Sequence, residues 1–314
     1  AMGGDFNNFS NMAIADPTTA NALTWSGING QVFAMAGTTT HLIAGGSFNA
    51  VSNYPVTKVA AFTPAAPSVA LTVRMFLDGP YVSATQLMND NLRASGLLPY
   101  TEPYTALGYA YTTGGATGTA SPTVLSVTGN NAIVDWVVVE LRNSANSAQV
   151  VASRRALLQR DGDVVDLNGV APLTIPAPPA SYYVAVRHRN HLGVMSAAPF
   201  ALSVNTTSID FRSAGQTTFG TDARRVEGSR MVLWCGDVTF DRSAKYTGTG
   251  NDRDPILTAI GGSLPTNTLT GQYRQEDLNM DGVVKYTGAG NDRDLILLTI
   301  GGSVPTAVRA AQLP

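Results

Sequence analysis

The chain has a single cysteine among its 314 residues, which excludes any internal disulfide. That residue, Cys235, ends the apolar run Met231-Val-Leu-Trp-Cys235, so a buried free thiol is expected and no catalytic partner for it is recognisable. Charge is scarce: only 13% of residues are charged, the formal net charge is −2, and no long basic run exists, so nucleic acid is not an expected partner. No stretch approaches the roughly 20 consecutive apolar residues that a membrane-spanning helix requires. A signal peptide is missing too, and the abrupt opening Ala1-Met-Gly-Gly reads as a processed or excised fragment. Nor is there a Gly-x-Ser-x-Gly elbow, a His-Glu-x-x-His helix, a phosphate-binding loop or a dinucleotide fingerprint, so nothing supports an enzyme. What the chain has in quantity is Thr, Ser, Ala, Val, Gly and Asn, a mixture suited to short strands and polar turns in a secreted, modular, mainly β protein.

The strongest positive signal is a segment written twice. Asp237-Val-Thr-Phe-Asp-Arg-Ser-Ala-Lys-Tyr-Thr-Gly-Thr-Gly-Asn-Asp-Arg-Asp254 returns forty residues later as Asp277-Leu-Asn-Met-Asp-Gly-Val-Val-Lys-Tyr-Thr-Gly-Ala-Gly-Asn-Asp-Arg-Asp294. The register continues beyond it, since Ile260-Gly-Gly-Ser263 and Pro265-Thr266 recur as Ile300-Gly-Gly-Ser303 and Pro305-Thr306. In the second copy Asp277, Asn279 and Asp281 stand at alternate positions ahead of Gly282, with Val283 next, as in the opening half of an EF-hand loop. The closing half departs from that pattern: the twelfth position is Gly288 rather than Glu, so Asp292 and Asp294 are expected to complete the oxygen cage. Asp294 precedes an apolar helix candidate, residues 295–300, ended by Gly301-Gly302. The first copy offers Asp237, Thr239, Asp241, Ser243, Asp252 and Asp254, and is the weaker site: Thr239 replaces Asn279, and Arg242 replaces the glycine of the tight turn. Two Ca²⁺ ions are therefore expected, and a structural staple is the preferred role for them.

These paired loop-helix units resemble a dockerin module, with two calcium loops related by a pseudo-twofold axis. The run Lys-Tyr-Thr-Gly-x-Gly-Asn-Asp-Arg-Asp also resembles C-terminal modules of large secreted or surface proteins of Bacteroidetes, loosely called hemagglutinin-like. The resemblance covers about the last quarter of the chain. It implies calcium but not cohesin docking, because the Tyr-Thr-Gly-x-Gly insertion falls where dockerins present their partner-contacting residues.

A second repeat opens the chain, where Gly3-Gly-Asp-Phe-Asn7 returns as Gly45-Gly-Ser-Phe-Asn49 after about one propeller-blade length. Between the copies, residues 28–36 and 41–44 read as strands around a Gly37-Thr-Thr-Thr40 turn, a pattern that resembles the repeats of secreted β-propellers. So short a piece cannot close a ring, and an open sheet edge invites strand addition from another copy. After the linker-like Pro64-Ala-Ala-Pro67, Val69, Leu71, Val73, Met75 and Leu77 alternate as in a half-buried strand. Residues 132–142, 150–159 and 182–190 are further strands, Asp161-Gly162 is a hairpin turn, 87–96 holds a short helix and 114–119 an exposed loop; an Ig-like antiparallel sandwich accommodates them.

Three features of this region bear on chemistry. Asp161, Asp163, Asp166 and Asn168 form either a third calcium site or, preferably, ordinary turn solvation. Asp135 reads as a buried acid paired with Arg154 or Arg155. In Arg187-His-Arg-Asn-His191, strand alternation sends His188 and His191 to opposite faces, which argues against a His-His metal pair and for a basic strip that meets neighbouring acids or acidic sugars. The expected organisation is a propeller-like segment over 1–66, a β-sandwich over 67–210 and the duplicated calcium module over 211–314. The expected role is a non-enzymatic extracellular or cell-surface adhesion or scaffold segment whose partner is a surface glycan or another protein. Two other readings stay open: a carbohydrate-binding module with Tyr81, Tyr100, Tyr104, Tyr109 and Tyr111 as stacking residues, and a subunit of a homopolymer joined by strand complementation.

Overall fold

A computed structural model of the chain describes residues 67–113, 118–170 and 172–314, with 2–3, 12–15, 22–23, 32–37, 42–51, 54–56 and 59–62 before them. The fold is mainly β and divides into two compact units, Ala1–Ala66 and Pro67–Pro314, at the boundary expected from the sequence. Most of the linker and the loop over 114–117 lie outside the described residues, as does the first Gly-Gly-x-Phe-Asn copy beyond Gly3.

In the first unit, Val32–Gly37, Leu42–Gly46 and Val59–Phe62 form an antiparallel three-stranded sheet, and Met2–Gly3, Met12–Ala15 and Ala22–Leu23 form another. The two strands expected around Gly37 are thus present, although residues 28–31 lie outside the described segments. Phe48, the aromatic of the second repeat copy, is fully buried.

The second unit is built on one nine-stranded sheet. Its path runs from Leu173–Pro176 through Ser68–Arg74, Asp163–Val165, Val150–Gln159, Ile133–Asn143 and Ala180–Arg187 to Val194–Met195. Phe200–Leu202 adds to the outer edge of Ala180–Arg187, whereas the next strand, Thr207–Asp210, lies parallel to Ser68–Arg74. The Ala70 N–H donates to Ser203 O at 2.8 Å in the link between them, so the ends of the sheet meet and it curls around one core. The sequence suggested two facing sheets; the chain joins both layers in a single hydrogen-bonded path.

Alternation sets what fills this core. Val69, Leu71 and Val73 point inward from Ser68–Arg74 and meet Val137, Val139 and Leu141 from Ile133–Asn143 and Val184 and Val186 from Ala180–Arg187. The strand Ile133–Asn143 is buried along nearly its whole length because its other face is covered too. There Trp136 and Val138 pack under Leu98, Tyr104, Ala120 and Val124, from the irregular stretch that includes the short helices Asn91–Ala94 and Pro122–Leu125. The hairpin Arg224–Glu227/Arg230–Leu233 contributes Val232 and Leu233 to the main core, so no separation falls at residues 210–211.

The duplicated segment folds as two interlocked copies. Each has a loop, a three-residue strand, a helix (Arg253–Ala259 or Asp292–Thr299) and a closing strand. The strands are exchanged: Ser243–Lys245 pairs with Val308–Ala310 from the second copy, and Val283–Lys285 pairs with Thr268–Thr270 from the first, in equivalent register. Thr247 Oγ1 donates to Pro305 O and Thr287 Oγ1 to Pro265 O, both at 2.9 Å, which repeats the exchange in side-chain bonds. Between the helices Val238, Ile256, Leu278, Val284 and Ile296 form a small core, with each fully buried aliphatic side chain contributing about 1.5–3 kcal/mol. Both helices stop at their Gly-Gly pairs, where Gly261 and Gly301 take φ near +108° and +107° and let the chain reverse.

Candidate metal centre

The loop heads are shaped by their acids. Asp277 is buried and accepts the Asp281 N–H through Oδ1 at 3.1 Å and the Gly282 N–H through Oδ2 at 2.8 Å. Asp237 does the same for the Asp241 and Arg242 N–H groups, both at 3.0 Å. Asp281 and Asp241 each turn back to the N–H two residues on, that of Val283 at 2.8 Å and that of Ser243 at 2.9 Å. The wrap demands left-handed backbone at its sixth position: Gly282 has φ +84° and Arg242 has φ +74°, so the first copy bears in an arginine the conformation that the second assigns to glycine.

The residue that closes each loop is the first of the two late acids, not the one beside the apolar helix residues. Asp292 is fully buried and accepts the Leu278 N–H at 2.7 Å and the Lys285 N–H at 2.8 Å; Asp252 accepts the Thr239 N–H at 2.9 Å and the Lys245 N–H at 2.8 Å. Asp294 and Asp254 point elsewhere. Their carboxylates take Asn291 and Arg293, or Asn251 and Arg253, and their side chains are half exposed. Of the two acids expected to close the cage, only Asp292 faces it: Asn291 caps the helix by accepting the Asp294 N–H at 2.9 Å, which turns Asp292 inward at the first helical residue.

Each loop therefore brings two buried carboxylates together, Asp277 with Asp292 and Asp237 with Asp252. Burial, opposed by the Lys285 N–H and reinforced by nearby Asp277, pushes Asp292 up to about 8. Burial and the Asp252 and Asp241 charges push Asp237 up to about 8 as well. Asp277 and Asp252 rise to about 6, chiefly through burial, with the Arg189 guanidinium restraining Asp277. Such pairs favour either a retained proton or a cation. Among the described residues no three His, Cys, Asp or Glu side chains are arranged to hold a metal ion as they stand, so beyond each buried pair the donors are Asp281 or Asp241, turned inward, with amide, hydroxyl and backbone oxygens. Asn279 stands at the mouth of the second loop and bonds Asp281 Oδ2 at 3.2 Å and Gly290 O at 3.0 Å; Thr239 Oγ1 in the first bonds Asp252 Oδ1 at 3.1 Å. An all-oxygen set with two carboxylates fits a hard cation and gives a soft one no ligand. In the first loop Lys245 Nζ lies 3.4 Å from Asp241 and compensates part of that charge.

The other sequence candidates are engaged elsewhere. Asp163 pairs with Arg74 at 2.5 Å and Asp166 with Arg154 at 2.6 Å, whereas Asp161 and Asn168 accept nearby backbone N–H groups. These acids serve the hairpin rather than a third ion. Asp135 is buried, but its partner is neither Arg154 nor Arg155: Arg189 Nε donates to it at 2.8 Å, Tyr273 Oη at 2.5 Å, and His188 Nε2 lies at 3.2 Å. Burial would raise its pKa, yet the Arg189 guanidinium and the other hydrogen bonds hold this carboxyl well below the usual range.

The two histidines do not point apart. The strand ends at Arg187, alternation lapses in the turn that follows, and the rings of His188 and His191 meet edge to face with centroids 4.9 Å apart. The Gly79 N–H donates to His191 Nε2 at 3.1 Å, so Nδ1 carries the proton toward Asn190 Oδ1 at 2.8 Å and His188 Nδ1 at 3.1 Å. Burial lowers the pKa of both rings and keeps them neutral. Arg187 and Arg189 meet acids, Glu140 and Asp135, as the structural version of the basic strip required. Of the five tyrosines, Tyr104 is wholly buried, Tyr81 packs against Phe76 with ring centroids 4.6 Å apart, and Tyr109 and Tyr111 bond Glu140 and Glu102, which leaves Tyr100, 53% exposed, as the open ring face. Cys235 is buried, and burial raises its thiol pKa.

No family model matches the chain, and no curated protein or solved structure matches it. No described helix is long and apolar enough to cross a membrane.

Proposed function

We propose that the second unit binds two Ca²⁺ ions, one in each duplicated loop, and that the ions staple a non-enzymatic extracellular scaffold or adhesion segment of a larger protein. The observation that carries this reading is the repeated burial of a carboxylate pair at the same two loop positions, forty residues apart, inside the same backbone wrap. Turn chemistry alone requires acids at the loop head, but it gives no reason to bury a second carboxylate against the first. Asp277, Asp292, Asn279, Asp281 and the chain at Val283 would hold one ion; Asp237, Asp252, Thr239, Asp241 and the chain at Ser243 would hold the other. A bound ion supplies positive charge that offsets the repulsion within each pair and ties the loop head to the first turn of the helix.

The scaffold reading rests on how each cage is placed. Every loop is fastened at both ends to secondary structure, so calcium there stiffens the chain rather than meeting a substrate. Calorimetric titration with calcium, beside thermal melts with calcium and with chelator, tests the metal claim. Two binding events and a raised melting temperature are expected; no binding heat and superimposable melts would refute it.

A further inference from the structure

One short turn touches both loops. Its backbone carbonyl, Asn190 O, accepts the Gly236 N–H at 3.0 Å and the Asp237 N–H at 3.2 Å, at the head of the first loop. The side chain of the same residue, through Nδ2, donates to Gln275 O at 2.9 Å and to Asp277 O at 2.8 Å, at the head of the second. Asn190 is fully buried, and its Oδ1 faces the protonated Nδ1 of His191, which fixes the amide orientation. The neighbours add to both arms: the Leu192 N–H donates to Trp234 O at 2.7 Å, just ahead of the first loop, whereas Arg189 Nη1 donates to Arg274 O and Gln275 Nε2 to Arg189 O at 3.0 Å on the second. One residue thus spans the first ligand positions of both copies, its main chain on one and its side chain on the other.

We infer that Asn190 is a positioning residue that couples the two loops, so that an ion in one raises the affinity of the other. This rests on the calcium reading given above. Filling a loop fixes its first aspartate, and with it the backbone group bonded to Asn190; the other loop then meets an anchor already ordered, and its own ordering costs less. The side-chain arm is removable and the main-chain arm is not, which makes the coupling separable from the fold of the first loop.

The test is a calcium titration of the full chain in two backgrounds, with and without Asn190→Ala, each combined with Asp237→Asn or Asp277→Asn to disable one loop. With Asn190 present, disabling either loop is expected to weaken the remaining site about tenfold. With Asn190→Ala that dependence should vanish, and the first loop should bind as tightly as it does beside a disabled second loop. Loops that bind calcium independently with Asn190 present, or a dependence that survives Asn190→Ala, would overturn the coupling while leaving the calcium reading intact. A chain that binds no calcium at all would overturn both. Should Asn190→Ala not fold, hydrogen exchange decides in the Asp237→Asn protein, where only the second loop fills. Calcium should then slow exchange of the Gly236 amide and that of residue 237 several-fold, and unchanged exchange would refute the inference.

Discussion

Replacing Asp292 by Asn separates a metal-binding carboxylate from a structural one. Asp292 gives one oxygen to the Leu278 N–H and the other to the Lys285 N–H. Asparagine offers a single acceptor, so one of these amides then faces an NH₂ group, at a cost of about 1–3 kcal/mol. Against that stands relief from burying a carboxylate beside Asp277, so the calcium-free protein should change by no more than about 2 kcal/mol. The calcium increment behaves differently. At an ion concentration about a hundred times the dissociation constant, one site stabilises by about 2.7 kcal/mol. In a unit of this size that raises the melting temperature by roughly 5–10 °C per loop. Asp292→Asn should lose the increment of its loop and retain that of the other. Asp294→Asn is the control: its carboxylate is half exposed and bonded to Asn291 and Arg293, so the increment should persist. Thermal melts of the three proteins with calcium and with chelator decide it. An increment kept by Asp292→Asn and lost by Asp294→Asn would refute the assignment of the closing ligand.

Arg242→Gly relieves the positive φ of the first loop at some cost in chain entropy, and should stabilise the protein by about 0.5–1 kcal/mol in denaturant titration. The pH dependence has a definite sign. Asp292 and Asp237 have folded pKa values near 8, above the unfolded value of about 3.9, so in chelator their stabilising contribution is present below pH 4 and is lost as pH rises toward 8. Calcium replaces the proton, so the gap between melting temperatures with and without calcium should widen from pH 5 to pH 8; a constant gap would contradict the buried pairs. Asp135→Asn leaves Arg189 buried without its countercharge and should destabilise by about 3–5 kcal/mol in denaturant titration, with calcium present or absent.

The local patterns that carried through are those in which neighbouring residues alone decide the structure. Alternation placed Val69, Leu71 and Val73 in the core, the Asp161-Gly162 turn joined its two strands, and the repeat announced two equivalent loops. What failed depended on partners distant in the chain. Asp135 sits where Arg189 and Tyr273 arrive from other segments, and nothing near it in sequence distinguishes them from Arg154. The histidines were misplaced because a strand was extended three residues past its end, and a two-residue period fails as soon as the chain turns. Both Asp292 and Asp294 were expected in the cage, and their separation is legible in principle: Asn291 stands three residues before Asp294, at the spacing of a helix cap, and a cap there sends Asp292 inward. The exchange of strands between the copies is not legible in the sequence: the closing strands are three residues each, Thr268–Thr270 and Val308–Ala310, and nothing local to either says which copy it joins.

The claim on which the account rests is that each acidic loop encloses a divalent cation. Crystals grown with calcium and then soaked in terbium test it most directly, through anomalous difference density. The account predicts one peak between Asp277 and Asp292 and a weaker one between Asp237 and Asp252. Flat density at both loops, with these carboxylates bonded to nothing but backbone amides, would contradict it.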